Sequence, residues 1–340
     1  IDTLKATQIV KITGSVMDTD GFLMGGFNGF VYPTVFDKPS KLRTKQNDPG
    51  ANLHNFEIQK NIIFKGKAEV VNGNFEFSFK VPLDINYTVG LGKISYYAAD
   101  GIVDANGYDT VKVGGSENNC LEVDGPQIKL SLNDEWFVSG GVSNANPTVY
   151  AKLYDESGIN LSGAGIGHDL LLTLTGPVNQ EYIVNDFYIS EAGGYKSGEL
   201  SYKLRDLPTG EYTLSLRAWD ACTNSGTSSI MFRVDTSQLI LNNLYNFPNP
   251  TNGGTTFSFE HNFAETNLQA DLRIHSLQGT LVKQIRQTVN SDGFRSVQLY
   301  WDGNSDGGQR LSAGLYIYTL YLSNGKGKAV KASNKLIITE

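Results

Sequence analysis

The chain has 340 residues, 40% of them apolar and 19% charged, and its 28 basic and 35 acidic residues leave a net charge of −7. That balance excludes a nucleic-acid binder, whose affinity rests on Lys and Arg neutralising phosphates. No apolar run approaches the roughly 18 residues that cross a membrane as a helix. The length suits two or three domains, and 37 glycines with 17 Phe and 17 Tyr suit many short strands joined by tight turns. No window sustains a helical period, so the expected fold class is all-β, with three consecutive Ig-like β-sandwich domains.

The first domain is expected over residues 1–122. Residues 8–16 alternate, with Val10, Ile12 and Val16 on one face and Lys11, Thr13 and Ser15 on the other. A turn at Asp18-Thr19-Asp20-Gly21 precedes a second strand at 29–37. Residues 40–55 are polar and read as a long loop. Residues 62–71 and 74–81 flank Asn72-Gly73, the clearest hairpin in the chain, because Asn-Gly supplies the positive φ of a type I′ turn. Another strand follows at 93–98, and the pattern fits a β-sandwich. Ile1 opens directly into strand-like sequence without a signal peptide, which suggests a piece of a longer chain.

The second domain is expected over 123–238. Strands are predicted at 128–132, 147–154, 170–174, 182–184, 198–204, 211–219 and 228–234, a count and spacing that suggest an immunoglobulin-like sandwich. In the run from Leu207 to Asp220, Tyr212, Leu214, Leu216 and Ala218 share one face.

The third domain is expected over 239–340. It opens on Tyr245-Asn246-Phe247-Pro248-Asn249-Pro250, kept extended by two prolines. Strands follow at 255–260, 270–275, 281–285, 297–301, 314–322 and 335–338, with a turn at Leu277-Gln278-Gly279 and another at Ser323-Asn324-Gly325. Tyr316 and Tyr318 fall on one face, with Leu315, Ile317 and Thr319 on the other. Lys326, Lys328, Lys331 and Lys335 read as a solvated hairpin edge, where lysines discourage sheet-to-sheet pairing.

Few residues invite chemistry. Cys120 stands at the junction of the first two domains and Cys222 in the last hairpin loop of the second. In an Ig-like sandwich these share one end, so either a disulfide or two free thiols fits there. Asp124, Asp155, Glu156 and Asp220 should gather at the same end. That is a candidate structural Ca²⁺ site, although Asp and Asn also favour turns for backbone reasons. The acidic loop 302–306 lacks the spacing of an EF-hand. His54, His168, His261 and His275 have no metal-ligand spacing, and His168 reads as a loop anchor. Gly163, Gly165 and Gly167 do not form a dinucleotide motif, which needs a strand before and a helix after. Trp136, Trp219 and Trp301 read as core or turn residues. No nucleophile–base constellation is visible, so the chain itself is expected to catalyse nothing and to need no cofactor beyond that calcium.

Function is read from resemblance. The segment from Tyr212 to Val234 resembles the last hairpin of bacterial Ig-like repeats, with Ala218-Trp219-Asp220 before a turn at Thr223-Asn224-Ser225-Gly226. The third domain resembles the C-terminal targeting domain of proteins exported by the type IX secretion system of Bacteroidota. The matching features are Asn249-Pro250 within 245–250, Gly279 closing 274–279, Gly314 and Tyr316 within 313–318, and the terminal Lys335-Leu336-Ile337-Ile338. Stretches 297–303 and 311–316 also resemble the Ig-like fold of flagellar hook-capping proteins. Stretches 27–29, 32–38, 64–68, 81–86, 94–98, 158–160, 165–169, 185–188 and 218–220 resemble the region after the peptidase domain in the PorU family, the gingipain-type cysteine peptidases that act as sortase of that system.

The resemblance implies a parent enzyme that removes targeting domains from exported cargo and attaches the cargo to anionic lipopolysaccharide. It implies partners in the upstream peptidase domain, an outer-membrane β-barrel docking protein and other secretion components. It also implies a location on the extracellular face of the outer membrane. The Cys/His peptidase domain would lie upstream of position 1, so no residue here inherits its roles. An adhesin whose sandwiches bind glycan or protein is the alternative, and a hydrolase the third reading.

Overall fold

In the computed structural model the chain is described at residues 3–48, 50, 52–135, 137–163, 167–235, 239–263, 266–291, 299–325 and 327–339. Trp136, Gly165, Thr236, Val297 and Lys326, which figure in the sequence reading, lie outside them. The fold is all-β, and the one helical turn among the described residues is a 3-10 turn at Asn185–Phe187.

The first ten strands are β1 Leu4–Ala6, β2 Ile9–Ser15, β3 Gly29–Phe36, β4 Ser40–Arg43, β5 Asn55–Ile58, β6 Ile62–Lys65, β7 Ala68–Val71, β8 Asn74–Lys80, β9 Gly90–Ala99 and β10 Asp104–Ser116. Eight of them form one sheet in the order β1-β10-β9-β3-β7-β8-β2, with β6 on β3. Only Thr7 and Gln8 separate β1 from β2, yet these strands occupy opposite edges of the sheet. The sheet therefore wraps round until its edges meet, and Thr7 takes φ 67° at the crossing. Val10, Ile12 and Val16 are buried as their alternation predicts, and Asn72 and Gly73 take φ 50° and 78° in the hairpin turn.

Three expectations for this region change. Residues 40–55 are not one loop, because β4 and β5 pair across an exposed hairpin. Neither strand buries a face, so no alternation betrayed it. The predicted strand 62–71 breaks between β6 and β7, where Gly66 bridges to Ser190 of the second domain. The thirteen-residue β10 went unseen because, near its C-terminal end, only Val111, Val113 and Gly114 are buried. Its first seven residues pair with β9, yet all but the partly buried Ala105 are exposed, so no apolar alternation marks them.

The next nine strands are β11 Gln127–Leu132, β12 Gly141–Ser143, β13 Thr148–Tyr154, β14 Leu171–Thr175, β15 Gln180–Ile183, β16 Tyr188–Ser190, β17 Ser197–Lys203, β18 Gly210–Trp219 and β19 Ser225–Val234. They make a sandwich of sheets β11-β13-β17-β16 and β12-β19-β18-β14-β15. The last seven are β20 Leu241–Phe247, β21 Thr255–His261, β22 Thr266–Ser276, β23 Leu281–Ser291, β24 Leu299–Trp301, β25 Gly314–Ser323 and β26 Ala329–Ile338. They make a second sandwich of sheets β20-β21-β24 and β23-β22-β25-β26. Trp301 is buried in its core, its indole N–H donating to the Asn304 carbonyl at 2.8 Å. The peptide bonds before Pro248 and Pro250 are both cis.

Buried apolar side chains gather in three clusters, drawn from residues 4–113, 130–234 and 239–338. The first two interlock. Ile62 and Phe36 pack into the second cluster, and Tyr195 packs into the first.

A tyrosine hydroxyl folds back onto the carbonyl four residues earlier in each domain: Tyr87 to Leu83 at 3.0 Å, Tyr212 to Pro208 at 2.9 Å and Tyr316 to Ser312 at 2.9 Å. The last two stand in matching Leu-x-x-Gly-x-Tyr sequences, 207–212 and 311–316. Such a bond pins the chain as it enters a strand. Tyr212→Phe is expected to cost about 1 kcal/mol in urea unfolding, whereas Tyr245→Phe, whose half-exposed ring makes no such corner, should cost none.

Candidate functional site

Two places collect the residues singled out by sequence. The first is the junction of the first and second domains. Cys120 and Cys222 are joined as a disulfide, with Cα atoms 5.5 Å apart, across 102 residues. The linker and the hairpin meet tightly here. A Cβ on Gly226 would stand 1.9 Å from the Pro126 carbonyl oxygen, so no larger residue fits without moving the backbone.

The carboxylates do not gather as predicted. Asp155 and Asp220 are buried beside the disulfide, but the third member is Glu122. One oxygen of each lies within 4.8 Å of the others. Glu156 points outward to the Tyr154 hydroxyl and the Lys196 ammonium, and Asp124 is exposed. The donor set available to a hard cation is therefore Glu122, Asp155 and Asp220, not Asp124 and Glu156. The reason is local. Glu122 lies two residues from Cys120 and is drawn in with it, whereas the Asp155 side chain turns back to accept the Ser157 amide at 2.7 Å, which sends Glu156 to solvent. The Asp220 carboxylate accepts the amides of Cys222 at 3.0 Å and Asn224 at 2.6 Å, an Asx turn that shapes the hairpin loop.

The first domain reaches into this cluster. The Lys80 ammonium donates to Ser157 Oγ at 3.0 Å and lies 3.3 Å from Cys222 Sγ, while Ser157 Oγ donates to Glu122 Oε2 at 2.6 Å. Beside it, the Leu83 amide donates to the Ala221 carbonyl at 2.8 Å. Asp84 accepts Asn160 Nδ2 at 2.7 Å and meets His168 Nδ1 at 2.8 Å, and the His168 ring packs 4.2 Å from that of Trp219. His168 is thus an anchor between domains, as its loop suggested. Lys80, Asp84 and Glu122 escaped the sequence reading. Each is an ordinary surface residue type whose role depends on which domains touch.

Burial, with the neighbouring charges of Asp220 and Glu122, pushes the Asp155 carboxyl up to about 7, and burial raises that of Asp220 as well. An unfolded Asp ionises near pH 4. Between about pH 4 and pH 7 the folded chain therefore holds a proton that the unfolded chain has released, so this group's contribution to stability falls as pH rises through that window.

The second place is one end of the third domain. The side chain of Asn249 lies along the outer edge of β26. Its Nδ2 donates to the Lys335 carbonyl and its Oδ1 accepts the Ile337 amide, both at 2.9 Å. Thr251 continues the pairing, its amide donating to the Ile337 carbonyl at 2.9 Å and its carbonyl accepting the Thr339 amide at 2.8 Å. Asn246 supports Asn249, accepting its Nδ2 at 3.1 Å. Register brings the other marked residues to the same end: Gly314 pairs with Ile338, Tyr316 with Leu336, and Tyr316 with Ser276. Gly279, at φ 83°, makes the turn that follows Ser276. Leu336 and Ile338 point into the core, whereas Lys335 and Ile337 face outward. Leu315, paired with Ile337, shares that outward face, and Leu281 and Leu277 are exposed at the same end.

Residues 245–326 match the family model of the FlgD Ig-like domain. Asn249, Pro250, Gly279, Gly314 and Tyr316 lie inside the FlgD-like stretch and the final strand lies beyond it. No curated protein matches the chain. Among solved structures, similarity extends to dimeric latent PorU from Porphyromonas gingivalis, at 28% identity and TM-score 0.39, covering 99% of this chain and 32% of that one. The chain thus spans about a third of the length of that protein. A tetra-tandem repeat from the extending region of a large adhesion protein is 16% identical at TM-score 0.24, covering 98% of this chain and 71% of that one. A mixed-linkage glucan utilisation protein of Bacteroides ovatus, SGBP-B, solved with a heptasaccharide, is 12% identical at TM-score 0.30, covering 99% and 65%. At these scores the likenesses carry no functional argument; the FlgD-like match identifies an Ig-like domain.

Two outcomes test the junction. Replacing both cysteines by serine, which opens a loop of about a hundred residues, is expected to cost about 2–5 kcal/mol in urea unfolding, and reductant should reproduce the loss in the wild type. Asp155→Asn keeps the acceptor for the Ser157 amide but removes the charge. It is expected to flatten the fall in melting temperature between about pH 4 and pH 7; a variant with the wild-type slope would exclude Asp155 as its source.

Proposed function

We propose that the chain is the non-catalytic C-terminal part of a cell-surface cysteine peptidase of the type IX secretion sortase kind. In this reading the third domain is the export and docking module, and the interlocked first two domains are a stiff support for the peptidase. The parent protein works on the extracellular face of the outer membrane, and the third domain docks on an outer-membrane β-barrel partner.

The observation that carries the reading is the clasp between Asn249 and the terminal strand. The segments by which the chain resembles targeting domains touch across as many as 88 residues of sequence, from Asn249 to Ile337, and converge on one end of one sandwich. That is expected of a surface read by a partner. The clasp also narrows the docking mode. Asn249 and Thr251 occupy the edge of β26 at Lys335, Ile337 and Thr339, so strand addition there is blocked. The outward face bearing Leu315 and Ile337, with Lys335 next along the strand, is left for a partner.

A reporter fused to residues 239–340 is expected to reach the cell surface in a bacterium that carries this secretion system. The range begins at Leu239 because that residue is buried in the third core. Asn249→Ala in the fusion should reduce surface display, measured by protease accessibility on intact cells. Retention of the unaltered fusion in the periplasm would contradict the reading.

A further inference from the structure

Between the first two domains lies an open cleft of about 780 Å³, lined mainly by the second domain and bordered at Ser190 by the Gly66 bridge. Its size falls within the range of about 300–1,000 Å³ common for ligand pockets, which form often at domain interfaces. The floor is the outer face of the β11-β13-β17-β16 sheet, and Tyr32 and Lys67 of the first domain line the opposite side. Strand register lays the floor out in rows. Lys129, Lys152, Glu199 and Ile189 cross the sheet in one row, and Ser131, Tyr150 and Ser201 in the next.

Three features define what fits. Aromatic rings line it: Tyr150 and Phe187 are 40% and 48% exposed, and Tyr32 stands across from them. Serine hydroxyls share the lining with an ion-paired network in which Lys152 Nζ stands 2.7 Å from Glu135 and 3.6 Å from Glu199. Charge nearly cancels: Lys67, Lys129 and Lys152 stand against Asp134, Glu135, Glu191 and Glu199.

An anionic polymer finds no excess of positive charge here. A lipid chain would strand the polar network. An added peptide strand needs a free sheet edge, and at the β16 edge, which meets the first domain, Ser190 is bridged by Gly66 and the Lys65 ammonium takes the Asp186 carbonyl just before it. A neutral sugar chain suits all three features. Its C–H faces pack on aromatic rings, which offer a large apolar area, and its hydroxyls both donate and accept.

We propose that this cleft binds a neutral oligosaccharide, with Tyr150 as the stacking platform and the Lys152–Glu199 pair as hydrogen-bonding partners for ring hydroxyls. The test titrates the whole chain by NMR with cellohexaose, maltohexaose and mannohexaose, and with hexagalacturonate as the anionic comparison. At least one neutral hexasaccharide is expected to bind with a Kd of about 1 mM or tighter. Tyr150→Ala should weaken it about tenfold, whereas Tyr108→Ala, at an exposed ring outside the cleft, should not. Tyr150 faces outward, so its loss should leave the fold intact, and an unchanged melting temperature verifies this. No binding by any neutral probe at about 5 mM, undiminished binding by Tyr150→Ala, or tighter binding of hexagalacturonate would each overturn the proposal.

Discussion

The side chain of Asn249 stands in for a missing strand. A sheet edge is a row of unpaired backbone donors and acceptors, open to pairing with any other chain. At Lys335 and Ile337 the primary amide of Asn249 meets one acceptor and one donor in the geometry of a neighbouring strand, and Thr251 continues the ladder with its own backbone. The other domains meet the same constraint differently. The first divides its opening strand between both edges of a wrapped sheet, and the second has its short edge strand β16 covered by Gly66.

The junction of the first two domains follows from a second constraint, the cost of burying charge. Asp155 and Asp220 are buried beside a disulfide, and amide donors and the nearby Lys80 ammonium offset part of the penalty. The disulfide, the Leu83–Ala221 backbone bond and the exchange of Ile62, Phe36 and Tyr195 between cores bind the two domains together. That fixity gives the cleft between them a defined shape.

Much of the fold was legible because its strands bury one face. Tyr212, Leu214, Leu216 and Ala218, or Val10 and Ile12, announce themselves by alternation and are buried. Of the strands that escaped, β4, β5 and most of β10 bury little, whereas β1, β12 and β16 are three residues long, too short to show an alternation. The site was legible in part. The pairing partners Cys120 and Cys222 could be named as candidates because loop positions at one end of a sandwich are near one another, but which carboxylates accompany them could not. Glu122 replaces Asp124 and Glu156 through the direction of single side chains. The residues of the targeting-like segments were visible as motifs, yet nothing in their spacing revealed that Asn249 grips the last strand. Such a contact depends on three-dimensional closure.

Amide hydrogen exchange across the third domain tests the clasp most directly. If Asn249 and Thr251 complete the edge of the last strand, the Ile337 and Thr339 amides of the whole chain should exchange as slowly as the amide of Leu336, whose partner is β25, and Asn249→Ala should release Ile337 selectively. An Ile337 amide that exchanges at the rate of an open edge, in the unaltered chain, would contradict the account.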